Sequence, residues 1–189
     1  MLFGLRKPTA ARPWRPGVDV AGIVEAVGSK VTRFQSGDGV FGVCISDPEA
    51  SGTKVWIHHQ GAFAEYVCAP ESMLATKPDN VTFEQAASAP VAAFTALQGL
   101  RDKGQIQSGQ KVLINGAAGG VGTFAIQIAK SSGAVVTGVC STRNLDMVKS
   151  IGADHVIDYA AQISPNAKSV TICFSIAWGT IHWRNVVAL

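Results

Sequence analysis

The chain has 189 residues, of which 47% are hydrophobic, 15% are charged and 20 are glycines. This composition is typical of a globular α/β protein and excludes an intrinsically disordered one. The formal net charge of +3 comes from lysines and arginines scattered along the chain, so it indicates no nucleic-acid function.

Targeting and membrane signals are also missing from the sequence pattern. No run approaches the roughly 20 apolar residues of a membrane span. Pro8, Pro13 and Pro16 would break an amphipathic transit helix, and the four cysteines show no paired spacing. We therefore expect a cytoplasmic protein with reduced cysteines and no membrane association.

The first elements are short strands separated by glycine turns. Residues 17–27, 31–43 and 61–69 are rich in valine or alternate apolar and polar residues, and Gly37-Asp38-Gly39 makes a turn within the second run. No helical pattern separates them, which predicts a small antiparallel barrel. Residues 46–60 fit no period and are interpreted as a surface loop.

Helices follow from about residue 82. Thr82 with Gln85 forms a capping-box pattern, and the alanines after it favour a helix that Pro90 ends. A second helix is predicted over about 91–100.

The next segment has the order strand, tight turn, helix, strand. Lys111–Asn115 is a compact apolar strand of the buried parallel type, and a glycine-rich turn at 116–122 leads into a helix over 121–131. A strand at 134–139, a polar loop at 141–144, a short helix to about 151 and a strand at 155–158 complete the pattern.

The glycine-rich turn is a candidate phosphate-binding loop. Glycines let backbone N–H groups approach a pyrophosphate, and the following helix N-terminus adds partial positive charge. A lone glycine motif often marks an ordinary tight turn, but the surrounding strand and helix favour a dinucleotide site.

The end of the second strand bears on which dinucleotide binds. A site that prefers NAD places Asp or Glu there to hold the ribose 2′-hydroxyl, whereas this chain has Ser141, Thr142 and Arg143. An arginine and two hydroxyls suit a 2′-phosphate, so we predict NADPH. An exposed loop arginine without a ligand is the alternative.

Five motifs together resemble the medium-chain dehydrogenase/reductase superfamily, and most closely its quinone oxidoreductase-like (zeta-crystallin-like) branch. The resemblance covers about residues 13–159. The motifs, in order, are GVDVAG at 17–22, GDGVFG at 37–42, GAFAEYV at 61–67, AGGVG at 118–122 and GADHVIDY at 152–159.

The resemblance implies an α/β architecture in two parts. These are a partial GroES-like β-barrel domain over 1–92 and the first half of a Rossmann domain, a doubly wound parallel sheet, over 93–160, followed by an atypical tail at 161–189. It implies that the pyrophosphate meets the loop residues Gly116, Ala117, Gly119, Gly120 and Val121. It also implies that Ser141, Arg143 and Tyr159 surround the 2′-phosphate and that Thr95 approaches the nicotinamide. For Thr95 and Tyr159 a purely packing role is about equally compatible with the sequence.

The same resemblance argues against a metal. Zinc-dependent relatives have Gly-His-Glu where this chain has Gly17-Val18-Asp19, and they carry a four-cysteine lobe that this sequence lacks. His58 and His59 are adjacent in a loop without other ligands at suitable spacing.

These features predict a zinc-independent, NADPH-dependent oxidoreductase that reduces a quinone or an activated alkene or carbonyl. The alternative is a catalytically silent nucleotide-binding remnant, because the resemblance supplies no catalytic residue and leaves only one further strand, around 170–176. An interaction or RNA-binding role has little support from the charge pattern. We also expect the strand at 170–176 to be an exposed sheet edge, which favours self-association or a homo-oligomer.

Overall fold

The computed structural model describes residues 16–44, 61–161, 172–177 and 180–184. The chain divides into two compact units, Met1–Val91 and Ala92–Leu189. The predicted loop at 46–60 lies outside the described residues, as does much of the predicted tail.

The described part of the first unit contains an antiparallel sheet. Its strands are β1 (Asp19–Ile23), β2 (Gly39–Val43) and β3 (Leu74–Thr76), in the order β1-β2-β3. β1 and β2 confirm strands within the predicted runs 17–27 and 31–43, but residues 31–36 of the second run form no strand. β2 follows the predicted turn at Gly37, whose φ of 95° is in the region that favours glycine.

The strand predicted at 61–69 is wrong. Ala62 and Phe63 donate their N–H groups to Gly17 O (3.2 Å) and Pro16 O (3.0 Å), and the Ala64 N–H then turns back to Ala62 O (2.8 Å). A strand needs a continued ladder of such bonds, and the chain bends before one forms. Alternating hydrophobicity is therefore not sufficient to form a strand here, and the apolar side chains that suggested one, Phe63 and Tyr66, are 75% and 74% exposed.

The capping box at the start of α1 (Phe83–Ser88) is confirmed. Gln85 N–H donates to Thr82 Oγ1 (3.2 Å), and Thr82 N–H donates to Gln85 Oε1 (2.9 Å). Pro90 opens α2 (Pro90–Leu97), since proline suits the first helical position. The helix predicted to residue 100 continues as a π-helical turn over Gln98–Lys103.

The second unit is built on a five-stranded sheet with helical crossovers. Its strand order is β6-β5-β4-β7-β8, with parallel pairing except between β7 and β8. In chain order its elements are β4 (Lys111–Asn115), α3 (Gly120–Ser131), β5 (Val135–Cys140), α4 (Leu145–Ser150), β6 (His155–Asp158), β7 (Ile172–Ala177) and β8 (Thr180–Arg184). β4, α3, β5, α4 and β6 lie within one residue of their predicted bounds.

The predicted fourth strand exists as β7, but it is not the edge that we expected. β8 pairs with it antiparallel, with Ile176 opposite Ile181, so β7 has a neighbour on both sides. The sequence of the tail had suggested no second strand, and the predicted exposed edge at 170–176 is therefore wrong.

The core of the second unit lies between α3 and the strands β4 and β5. Along β5 buried and half-buried residues alternate, which is the period of a strand that faces a helix. The fully or nearly fully buried residues of this core are Ala96, Leu100, Val112, Ile114, Ala117, Ala125, Ile126, Ala129, Ala134, Val136, Cys140, Val148 and Ala153.

An ion pair joins α3 to the turn before β6. Lys130 Nζ donates to Asp154 Oδ1 (2.7 Å), while Asp154 Oδ2 accepts the N–H of Val136 (2.7 Å). The lysine ammonium, and next the Val136 N–H, hold the pKa of the Asp154 carboxyl below its usual value. One carboxylate thus connects α3, β5 and β6.

Close packing around the loop after β4 depends on two glycines. A Cβ at Gly122 would collide with the carbonyl oxygen of Gly116 and lie 2.9 Å from Ala117 Cα. A Cβ at Gly138, on β5, would lie 2.6 Å from Val148 Cγ1 and 3.1 Å from Ala117 Cβ. No larger residue fits at either position without movement of the loop after β4 or of α4.

The Gly122→Ala variant is expected to lower the free energy of unfolding by about 1–3 kcal/mol, because the added methyl group overpacks against backbone atoms. Gly120→Ala is the matched control, since its Cβ would meet only Ala92 Cβ at 4.0 Å. That variant should be neutral or stabilising by up to about 1 kcal/mol. Urea unfolding followed by circular dichroism measures both, and equal midpoints would contradict the packing argument.

Candidate functional site

A cleft of about 450 Å³ lies at the carboxyl ends of β4 and β5. Its wall comes from the loop after β4, the first turn of α3, the turn after β5 and the residue after β6. The lining residues are Gly116, Ala118, Gly119, Gly120, Val121, Gly122, Cys140, Ser141, Arg143, Asn144 and Tyr159.

One side of the cleft is the N-terminus of α3. Gly119 is the N-cap and has no side chain to cap the helix, and the first helical bond runs from Thr123 N–H to Gly119 O (2.9 Å). The N–H groups of Gly120, Val121 and Gly122 therefore have no acceptor within the helix. Three such donors and the helix dipole favour an anion at this position.

The side of the cleft at the N-terminus of α3 is formed by backbone atoms rather than by side chains. Gly116 has a φ of 76°, a conformation that favours glycine, and Gly120 adds no side chain to this side of the cleft. Ala117, by contrast, is fully buried and donates its N–H to Val139 O (3.0 Å). Ala117 is therefore not in the lining. Its predicted contact with pyrophosphate would need an N–H group that is already hydrogen-bonded to Val139 O.

Polar side chains form the other side. Asn144 Nδ2 donates to Ser141 Oγ (3.1 Å), which leaves the serine hydroxyl hydrogen for another acceptor. Arg143 is exposed and forms no ion pair with any residue in the described part of the chain. Tyr159, 61% exposed, closes this side of the lining. The positive charge of Arg143 and the N-terminus of α3 thus line the same cleft.

Two further predicted site residues lie outside the lining. Thr95 is half-buried on α2, and nothing in the structure brings it to the cleft. Thr142 is exposed, and its hydroxyl donates to Asp158 Oδ2 (2.6 Å). The predicted direct contact between Thr142 and a phosphate would require this bond to break.

Sequence reasoning missed Asp158, although a signal was available. The turn after β5 contains no carboxylate, but Cys140 pairs with Asp158 across the parallel strands, so the next strand supplies one. Carboxyl ends of neighbouring parallel strands meet at one edge of a sheet, and this rule could have placed Asp158 beside Thr142. The Thr142 hydroxyl, and next the Ala160 N–H, lower the pKa of the Asp158 carboxyl.

Cys140 and Asn144 are further lining residues that the sequence did not single out. Cys140 is the last residue of β5 and is 2% exposed. Burial, and next the charge of Asp158, raise the pKa of its thiol. This cysteine therefore carries little thiolate at neutral pH, and it closes the floor of the cleft as a small apolar group.

Two other findings concern metals and membranes. Within the described ranges, no three His, Cys, Asp or Glu side chains gather closely enough to hold a metal ion, and His58 and His59 lie outside those ranges. Among the helices of the same ranges, none has the length and hydropathy that crossing a membrane requires.

Comparison with known proteins identifies the family. A model described as the alcohol dehydrogenase GroES-like domain matches residues 2–79, and a model described as zinc-binding dehydrogenase matches residues 120–175. The chain is 41% identical over 195 aligned residues to the quinone-oxidoreductase homolog, chloroplastic, of Spinacia oleracea, covering 95% of this chain and 56% of that protein. The chain belongs to the medium-chain dehydrogenase/reductase superfamily.

A second curated relative and a solved structure are similarly close to this chain in sequence. The NADPH-dependent alkenal/one oxidoreductase, chloroplastic, of Arabidopsis thaliana is 40% identical over 152 residues, covering 79% of this chain and 38% of that protein. The quinone oxidoreductase structure from Coxiella burnetii superposes with a TM-score of 0.70 at 37% identity, covering 82% of this chain and 47% of that one. The chain thus spans about half the length of the curated relatives it matches. Both predicted parts, GroES-like and then Rossmann, are confirmed.

Alkylation should distinguish Cys140 from Cys68, which is exposed. With iodoacetamide at pH 8, we expect Cys68 to react faster by on the order of tenfold or more, because only the thiolate of an accessible cysteine reacts. Mass spectrometry of peptides gives both rates, and the difference should vanish in urea. Equal rates in the folded chain would show that the carboxyl end of β5 is not packed as described.

Proposed function

We propose that this chain forms the cofactor-binding part of a zinc-independent, NADPH-dependent oxidoreductase that reduces a quinone or an activated alkene or carbonyl. The cleft carries the proposal, because the helix N–H donors and Arg143, which has no ion pair among the described residues, line the same cleft. When bound, the nicotinamide cofactor supplies the hydride, and the protein supplies binding and orientation.

The donor set of the cleft suits a dinucleotide. The N–H groups of Gly120, Val121 and Gly122 would hold the pyrophosphate, and the glycines let its oxygens approach the backbone. Gly116 and Gly119 complete the loop without side chains in the path. These residues bind and orient; we assign none of them a part in proton transfer.

The preference for NADPH rests on the other side of the cleft. The Arg143 guanidinium can make charge-assisted bonds to a 2′-phosphate, and Ser141 can add a neutral one. Tyr159 offers a ring and a hydroxyl beside them. The nearby Asp158 carboxylate is oriented by hydrogen bonds from the Thr142 hydroxyl and the Ala160 N–H.

Relatives support the reaction class. They include proteins named as a quinone-oxidoreductase homolog and as an NADPH-dependent alkenal/one oxidoreductase. For zinc independence, the support is Val18, which stands where zinc-dependent relatives have a histidine and cannot ligate a metal. We also propose a cytoplasmic location, whereas the spinach and Arabidopsis relatives are named as chloroplastic. Self-association stays a prediction, but β8 rather than β7 is the terminal strand of the described sheet that would carry it.

Arg143→Ala should weaken binding of adenosine 2′,5′-bisphosphate by about tenfold to a hundredfold, the value of a charge-assisted hydrogen bond. Binding of adenosine 5′-monophosphate, which lacks the 2′-phosphate, should change less than about twofold. Isothermal titration calorimetry on the 189-residue chain measures both. Lys103→Ala, which removes an exposed lysine outside the cleft, is the matched control. Equal losses for both nucleotides would show that Arg143 acts on the fold.

Gly120→Val should abolish binding of NADPH and NADH alike, since the branched side chain would fill the space where the pyrophosphate is proposed to lie. A Cβ at Gly120 would meet only Ala92 Cβ at 4.0 Å, and the unfolding midpoint of the variant, measured in parallel, should stay close to that of the unmodified chain. Titration followed by nicotinamide fluorescence tests this, and unchanged affinity would refute the loop assignment.

Reduction of quinones and enals by the same chain decides between the two functions that the sequence predicted. Turnover that Gly120→Val eliminates would support the enzyme, whereas tight NADPH binding without turnover would support the silent nucleotide-binding chain.

A further inference from the structure

Arg143 and Tyr159, on the polar side of the cleft, share an indirect connection. The residue before Arg143 is Thr142, whose hydroxyl donates to Asp158 Oδ2 at 2.6 Å. The residue after Tyr159 is Ala160, whose N–H donates to Asp158 Oδ1 at 2.9 Å. One carboxylate therefore holds a chain neighbour of each of the two cleft residues.

We propose that Asp158 and Thr142 form a positioning pair that holds Arg143 and Tyr159 in place for a 2′-phosphate. The inference rests on the function proposed above and assigns Thr142 an indirect role instead of the direct contact expected from the sequence. Asp158 touches no ligand in this scheme. It acts through Thr142 on one side and through Ala160 on the other.

The turn that carries Arg143 is short and runs directly into α4, whose N-cap is Asn144. It is a single 3-10 turn, Thr142–Asn144, whose N-cap Ser141 makes no side-chain capping bond. Asn144 donates its N–H to Ser141 O (2.9 Å) and its amide to Ser141 Oγ (3.1 Å), but both bonds are within the turn. The Thr142 hydroxyl is the side chain that ties this turn to β6, and a weaker contact from the Thr142 backbone reaches the same carboxylate. Loss of the hydroxyl should therefore let Arg143 sample more positions, and loss of Asp158 removes both contacts.

The direction in which loss of Asp158 changes phosphate binding distinguishes positioning from a purely electrostatic effect. A carboxylate near a bound phosphate repels it, so removing Asp158 would tighten binding if charge were its whole effect. Positioning has the opposite consequence, because removing Asp158 releases both Thr142 and Ala160. A direct contact between Thr142 and the phosphate would also predict tighter binding on loss of Asp158, since the hydroxyl would be released.

The experiment uses the 189-residue chain with two probes, adenosine 2′,5′-bisphosphate and adenosine 5′-monophosphate. The ratio of their dissociation constants isolates the 2′-phosphate. Thr142→Val, which replaces the hydroxyl with a methyl group, should reduce the preference for the bisphosphate by about tenfold, whereas Thr142→Ser should retain it. Asp158→Ala should reduce the preference by a similar factor despite removing a negative charge.

The double variant Thr142→Val/Asp158→Ala tests whether the residues act as a pair. Its preference should be no lower than that of Asp158→Ala alone, since both changes break the same bond. An unchanged preference in Thr142→Val, a stronger preference in Asp158→Ala, or additive losses would each overturn the proposal. Parallel loss of both probes would also overturn it, because it would place the effect in the fold.

Arg143→Ala separates failure of this inference from failure of the proposed function. If the unmodified chain shows no preference for the bisphosphate, the proposed function fails. If it shows one that Arg143→Ala removes and Thr142→Val keeps, the function stands and the positioning pair is refuted.

Discussion

The second unit depends on the close approach of α3 to the loop that follows β4. No Cβ fits at Gly122 because the Gly116 carbonyl oxygen and the Ala117 backbone occupy that space. Ala117 in turn points into the core, where the missing side chain of Gly138 makes room for it. This packing sets where the first turn of α3 begins, and hence where its unpaired N–H groups lie relative to the ends of β4 and β5.

The two sides of the cleft are held by different physical means. The α3 side is fixed by steric exclusion and buried contacts, which cost several kcal/mol to disturb when backbone must move. The polar side rests on a short turn and a few hydrogen bonds in exposed surroundings, each with a net value of about 1 kcal/mol. Such a division fits a site in which the α3 side binds the pyrophosphate of any dinucleotide and the polar side distinguishes NADPH from NADH.

Local pattern predicted most of the parallel sheet, because a buried strand such as Lys111–Asn115 and the amphipathic α3 each carry their own signal. Prediction failed where a neighbour distant in sequence decides the outcome. Residues 61–69 alternate like a strand but find too few partners, and β8 exists because β7 offers it an edge. The glycine loop was recognisable from sequence, whereas the bond between Thr142 and Asp158 depends on the pairing of β5 with β6.

The strand order carries a consequence for the location of the cleft. From β4 the chain proceeds outward through β5 to β6, and β7 then lies on the opposite side of β4. The direction of winding therefore reverses at β4, which is the topological switch point of this sheet. Connections leaving adjacent strands in opposite directions cannot cover the carboxyl end between them, and open α/β sheets bind their ligands in the crevice that results. Residues 116–122 begin at that crevice, so connectivity alone would direct a ligand to the glycine loop even before any side chain is considered.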